Sequence, residues 1–358
     1  MPGTSPDPIV RSRTPYNAEP ETARLRRSFV TDQADFYVRS HGDVPTLDAA
    51  THRLRVTGRV ATPLDLGMDE LRARFPERSI EAVLQCAGNR RADLAAVAPV
   101  EGDPWEAGAI GNAVWTGVAL ADVLHAAGFD ETPGLHVAFS ALDECDVDGK
   151  RFAFGASIPM DKALSPEVLL AYAMNGEPLA PEHGFPLRVV TPGFAGVRSP
   201  KWLAEIEVRD RPSDNPIQAE DYKLLPQDIR SKEEIDWARG QTINDMPVNS
   251  AICEPTSNAV PAGRIAVRGY AIASARTVTQ VDVSADGGET WTQAELEAGS
   301  PWSWTFWSAH LDLASGVHEL TVRAFDSAGQ TQPAHPREVW NIKGYLSTAW
   351  HRVPVTVR

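Results

Sequence analysis

From about residue 235 to its end the chain has almost no helical periodicity, and this constrains its fold more than any other feature. Short stretches with strand-like alternation recur at 265–270, 279–285, 302–306, 319–325 and 338–342, with turn signals between them. Asp286-Gly287-Gly288 and Ser327-Ala328-Gly329 read as turns, because glycine adopts positive φ at little cost. Strands at this spacing predict an immunoglobulin-like β-sandwich, here without the Cys-Trp-Cys pattern of an antibody domain.

The preceding part is mixed. Residues 1–25, rich in Pro, Ser and charge, read as an extended N-terminal tail. Strand signals at 54–60, 79–85, 187–190 and 205–208 alternate with helix signals at 68–74 and 120–127. Pro76 stops the first helix and Gly128 the second. The expected class is α+β: a tail at 1–25, a mixed, β-rich domain at 26–234 and a sandwich at 235–358. A length of 358 residues suits two domains.

Charge narrows the function. Lys and Arg number 34, Asp and Glu 48, for a net charge of −14. Such a chain is a poor nucleic-acid binder and is repelled by anionic membrane surfaces, so neither is an expected partner. An anionic substrate would need a local cluster of Arg or Lys acting against the global field. Three cysteines make no disulfide framework, and no Cys/His pairing suggests zinc or attached haem. No apolar run reaches the roughly 18 residues of a membrane span. Arg26-Arg27 resembles a twin-arginine export signal, but Thr31-Asp32-Gln33-Ala34-Asp35 stands where its apolar region should follow. The expected location is cytoplasmic.

Cys86 is the residue with chemistry to offer. It ends an apolar strand signal, enters a turn containing Gly88, and precedes Arg90 and Arg91. Two adjacent guanidinium groups should favour its thiolate, which is either a nucleophile or a soft metal ligand. Cys145 and Cys253 lack such neighbours and read as small buried hydrophobes.

The segment Leu84-Gln85-Cys86-Ala87-Gly88-Asn89-Arg90-Arg91 resembles the signature of the sulfite oxidase family of molybdenum enzymes. Phe36-Tyr37-Val38-Arg39-Ser40-His41, Tyr172-Ala173-Met174-Asn175-Gly176-Glu177 and His183-Gly184-Phe185-Pro186-Leu187-Arg188 resemble further family segments. Arg198-Ser199-Pro200-Lys201-Trp202-Leu203, Asp221-Tyr222-Lys223 and Leu346-Ser347-Thr348-Ala349-Trp350-His351-Arg352-Val353 follow in family order. Pro15-Tyr16-Asn17-Ala18-Glu19-Pro20 is most like the haem-free, plant-type members.

The resemblance implies a molybdopterin-binding domain followed by a dimerisation domain, one molybdenum–molybdopterin per chain, no haem, and a homodimer. It implies Cys86 as the thiolate ligand of molybdenum. Phe36, Tyr37, Arg39, Ser40, His41, Asp143, His183, Arg188, Ser199 and Lys201 would hold the pterin and its phosphate. Arg39, Arg91 and Arg352 would surround a substrate oxyanion, Tyr222 would offer a phenol near the metal, and Trp105 would wall the pocket. The implied reaction is oxygen-atom transfer to sulfite, giving sulfate. Its two electrons would pass to an external acceptor, dioxygen or a small redox carrier.

Two departures stand out. Asn is usual in the family where Ser40 stands, and a basic residue is common where Glu101 stands. The charge at Glu101 leaves open a related molybdenum enzyme acting on another oxyanion or an S-oxide, such as a nitrate reductase-like protein. A non-catalytic β-sandwich binding protein is the alternative from a different class.

Overall fold

The computed structural model describes residues 7–147 and 149–358. Met68–Arg74 forms a helix as its pattern predicts. Met68, Leu71 and the capping Phe75 bury one face, and Asp69 and Glu70 at the start oppose Arg72 and Arg74 at the end along the helix dipole. Leu120–Ala127 buries Leu120, Val123, Leu124 and Ala127, and stops at Gly128, whose φ of 65° closes the last turn.

These helices flank two five-stranded sheets. In one, Glu177–Pro178, Leu169–Met174, Ile110–Ala119 and Glu77–Gln85 lie side by side, and Arg188–Val190 also pairs with Leu169–Met174. In the other the order is Leu64–Gly67, Arg53–Gly58, Leu203–Arg209, His136–Val147, Lys150–Pro159. Leu203–Arg209 runs parallel to Arg53–Gly58, and the other pairs are antiparallel. Leu54, Val56, Val118, Leu124, Val137, Leu170 and Ile206 fill the core between them. The strand Glu77–Gln85 delivers Cys86 at its end.

The sequence reads 1–25 as an extended tail; the described part of it is built into the fold. Ile9–Arg13 and Tyr16–Glu19 form a hairpin, and Ala18 exchanges backbone hydrogen bonds with Val38 at 3.0 and 2.8 Å. The buried Asn17 accepts the Ser40 N–H through Oδ1 at 2.7 Å and donates to Asp103 at 2.9 Å. The buried Glu19 carboxylate accepts the N–H groups of Glu106 and Gly108. Polar side chains so placed lock a segment against its neighbours, because leaving them unpaired would be costly.

The sandwich packs Asn249–Glu254, Gly263–Ile272, Thr305–Leu313 and Glu295–Ala298 against a second sheet. That sheet runs Ala259–Val260, His351–Val357, Gly316–Asp326, Val278–Ser284, Thr292–Gln293. Two expected strands differ. The strand expected at 302–306 starts at Thr305, because Trp302 and Trp304 turn toward the first domain: Val83 donates its N–H to Trp302 O, and Trp304 Nε1 donates to Phe29 O. The stretch 338–342 is not a strand. A 3₁₀ turn at Pro336–Glu338 breaks it, and Trp340 and Ile342 pack on Leu94, Leu225 and Ile229 at the domain junction. Arg90 also crosses the junction, donating to Asn249 Oδ1 at 2.9 Å and Ser250 O at 3.1 Å.

His183 ties the loop after Pro181–His183 to the N-terminal segment. Its Nε2–H donates to Gln33 O at 2.9 Å. Burial pushes its pKa down to about 3, so the native ring is neutral. The unfolded chain takes up this proton near pH 6.5 and the native state does not, so His183 supports the fold fully above that pH. Its contribution is lost as pH falls toward about 3. Urea unfolding should therefore show about 2 kcal/mol less stability from this residue at pH 5 than at pH 7. His183→Gln, which can still donate to Gln33 O, should flatten that acid limb by about one proton; an unchanged slope would contradict the assignment.

Candidate active site

Cys86 sits where the strand Glu77–Gln85 gives way to a tight turn. Its N–H donates to Ala109 O at 2.9 Å, and its carbonyl accepts the Asn89 N–H at 3.0 Å. The Gly88 N–H reaches Sγ at 3.4 Å. Gly88 is required here: a Cβ would lie 2.6 Å from the Arg91 guanidinium, which folds back over the turn. Arg90 adopts φ 63° and swings away to Asp93 and the second domain.

The sequence expectation of a thiolate favoured by Arg90 and Arg91 is therefore corrected in two ways. Burial raises the Cys86 thiol, and the lowering pull comes from Arg91 and Arg39, not Arg90. Charge only moderates the burial. A bound cation of soft character would deprotonate the thiol outright.

One cavity gathers Phe36, Tyr37, Arg39, Ser40, His41, Cys86, Asp143, His183, Arg188, Ser199, Lys201 and Tyr222. Five separate stretches of chain supply them, at residues 36–41, 86, 143, 183–201 and 222, held together by hydrogen bonds across the cavity walls. Lys201 Nζ donates to Ser40 Oγ and Glu182 O, both at 2.8 Å. Arg188 donates to His183 O at 2.9 Å and Ser199 O at 3.0 Å. Ser199 Oγ accepts the Thr191 N–H at 3.0 Å. His41 Nε2 and Tyr222 OH are 2.8 Å apart. Burial lowers the His41 pKa well below its ordinary value, Arg39 and Lys201 adding to the effect, so the ring is neutral.

The charge balance of this cavity is unusual. Arg39, Arg188 and Lys201 line it, and among the described residues none forms an ion pair with a carboxylate. Burial drives the Lys201 pKa down, with Arg188 reinforcing it. Asp143 Oδ1 is buried with no hydrogen-bond partner, and burial pushes its carboxyl up. Unpaired buried cations and an orphaned acceptor are costly when a cavity is empty. They suit a ligand with an anionic group and hydrogen-bond donors of its own. A phosphate-bearing, polar heterocycle beside a soft thiolate donor fits this set.

Three expected site residues lie differently. Arg352 is not at the cavity. It donates to Gly287 O and Ala334 O, pairs with Glu319, and stacks on Trp350 within the sandwich. Its strand partner across the sheet is Thr321, which fixes it there. Arg91 lies just outside the cavity lining, donating to Lys343 O, Gly344 O and Asp103 O, with its guanidinium over the Tyr345 ring. Trp105 packs in the core with Phe36, Tyr37 and Cys86, and its buried Nε1 has no partner.

The second domain reaches this region through Lys343 and Tyr345, which sequence reasoning did not single out. Asn341 closes the turn that carries them, donating to Tyr345 O at 2.8 Å and accepting its N–H at 3.1 Å. Gly344, at φ 61°, lies so close to Arg91 that a Cβ would be 2.6 Å from it. Leu346 N–H then joins Ala87 O at 2.8 Å, directly behind Cys86. Tyr345 stacks on Tyr222 with ring centres 5.0 Å apart and donates to Asp221. Lys343 Nζ is 2.7 Å from Asp221 and 3.0 Å from Glu101. Burial opposes its charge, but the two carboxylates outweigh that and raise its pKa. The signal in the sequence was slight, a lysine and a glycine directly after a stretch that resembled a strand.

Comparison with known proteins agrees with this geometry. The family described as oxidoreductase molybdopterin binding domain matches residues 41–217, and the Mo-co oxidoreductase dimerisation domain matches residues 240–358. The chain is 42% identical over 355 residues to sulfite oxidase of Gallus gallus, covering 96% of this chain and 76% of that protein. It is 38% identical over 375 residues to sulfite oxidase of Arabidopsis thaliana, covering 98% and 94%. The crystal structure of the sulfane dehydrogenase SoxCD from Paracoccus pantotrophus superposes with a TM-score of 0.80 at 26% identity, covering 96% of this chain and 85% of that one. The chain belongs to the sulfite oxidase family of molybdopterin-dependent oxidoreductases.

Removing one cavity cation tests the fit. Lys201→Met leaves Ser40 Oγ and Glu182 O without their donor and takes away a charge-assisted contact worth about 1.5–3 kcal/mol. Pterin released from the purified protein, read by fluorescence, should fall about tenfold or more while circular dichroism stays unchanged. Full pterin content in the variant would remove Lys201 from the site.

Proposed function

We propose that this protein oxidises sulfite to sulfate at the Cys86 cavity and hands two electrons to an external acceptor. The observation that carries the reading is the meeting of a soft thiol donor, in one cavity, with three cations that form no ion pair with a carboxylate among the described residues. The molybdenum–molybdopterin group, when bound, supplies oxygen-atom transfer and takes up the two electrons.

The chain's own residues do the rest. Cys86 Sγ would donate to the metal, Arg188 and Lys201 would hold the pterin's anionic group, and Asp143 Oδ1 would accept one of its hydrogen-bond donors. Arg39 lies on the Cys86 side, where it and Arg91 compensate the charge of an oxyanion drawn in against the chain's overall negative field. Tyr222 presents a phenol held by His41 and backed by the Tyr345 ring, which fixes its direction before substrate arrives. Trp105 and Phe36 pack behind the thiol and keep water from that side. The small acceptor, dioxygen or a redox carrier, and a homodimer formed through residues 240–358 complete the proposal.

Metal analysis of protein from a host that makes molybdopterin, with sulfite-dependent ferricyanide reduction on the same sample, tests it. The expected result is about one molybdenum per chain and turnover with sulfite. Cys86→Ser should abolish turnover and leave the fold intact, since a hard oxygen is a poor replacement for a soft thiolate. Sulfite oxidation near the wild-type rate in that variant would refute the assignment.

A further inference from the structure

Beside the Cys86 cavity lies a second one, at the domain junction. Tyr222 faces the first and Asp221 the second; Phe154 lines the first and Phe152 the second. The charges of the two cavities are opposite in character. The inner one carries Arg39, Arg188 and Lys201 against Asp143 and Glu182. The outer one carries Glu101, Glu220 and Asp221 against Lys232 and Lys343.

We propose that Glu101, with Asp221, clamps Lys343 and thereby sets how tightly the site holds dianions. Lys343 is a cation of the second domain held against this region: its carbonyl accepts from Arg91, and its ammonium meets Asp221, the neighbour of Tyr222. Both carboxylates hold its ammonium, at 3.0 and 2.7 Å, and its side chain is only 14% exposed. Glu101 is fixed for this task. Its N–H donates to Ile342 O at 2.9 Å, and Lys232 lies 3.4 Å from its other oxygen. Lys343 so held has no charge to spare for an incoming anion. The outer cavity carries three carboxylates against two ammonium groups, so its net charge opposes a dianion held in the neighbouring site. The arrangement weakens retention of the substrate and product dianions alike, and favours release of product. Glu101 is thus a specificity-determining residue for the reaction proposed above, on which this inference rests.

Glu101→Gln in the holoenzyme tests it. At low ionic strength KM for sulfite and the inhibition constant for sulfate should fall together by about five- to tenfold, the effect of one partly screened charge at short range. The shift should fall on KM rather than kcat, and should shrink in about 0.5 M salt as the Debye length contracts. Glu101→Asp should keep the wild-type constants. Unchanged constants in Glu101→Gln, or a lower kcat at unchanged KM, would overturn the clamp. Calorimetric titration of sulfate into wild type and Glu101→Gln separates the two proposals. An absence of sulfite turnover in the wild type counts against the reaction, whereas sulfate binding no tighter in the variant counts against the clamp.

Discussion

Three cavity cations, Arg188 buried and Arg39 and Lys201 half-buried, have no carboxylate partner among the described residues, and they decide what this fold is for. A protein interior tolerates a charge when it is paired, hydrogen-bonded or ligated. Arg188 and Lys201 are braced by backbone carbonyls, which orient the groups and leave their charge uncompensated. The strand ends and turns that converge here, from residues 36–41, 86–91 and 183–201, hold positive charge around an apolar thiol pocket. Such a cavity is costly alone and stable once an anionic ligand occupies it. Ligand binding and stability are coupled by the same residues.

The second domain completes this arrangement from behind. Its sandwich carries no group of the inner cavity, and its long strands serve to hold one turn, at residues 340–346, against the first domain. Trp340 and Ile342 seat that turn in an apolar cluster, Asn341 closes it, and Leu346 pairs with the backbone beside Cys86. Arg91 stacks on Tyr345 and donates to the carbonyls of Lys343 and Gly344, so an arginine whose charge acts on the Cys86 thiol is positioned by the other domain. A change in the junction therefore reaches the site without touching any cavity residue.

Much of this was legible in the sequence. Local signals placed the two longest helices of the first domain and several strands, because amphipathic spacing, Pro76 and Gly128 act within a few residues. That the cavity residues belong together was legible through motif order alone, since nothing in the spacing of Arg39, Cys86, Arg188 and Lys201 predicts their meeting in one cavity. The errors have a common physical source. Arg352 and Lys343 lie close together near the C-terminus, but strand pairing holds Arg352 beside Glu319 in the sandwich, whereas the turn closed by Asn341 carries Lys343 to Glu101 and Asp221 at the junction. The hairpin at residues 9–19 looked like a tail because its binding is done by Asn17 and Glu19, polar residues whose partners lie from about twenty to ninety positions away. Arg90 and Arg91 look equivalent in sequence, and the positive φ of Arg90 separates them.

The central claim is that Cys86 donates its sulfur to the metal that this cavity holds. X-ray absorption at the molybdenum edge tests it most directly, comparing wild-type protein with Cys86→Ser loaded in the same host. The account predicts one sulfur neighbour fewer in the variant, with the dithiolene sulfurs of the pterin retained. An unchanged sulfur count would contradict it, and would place the metal away from the thiol around which the cavity is built.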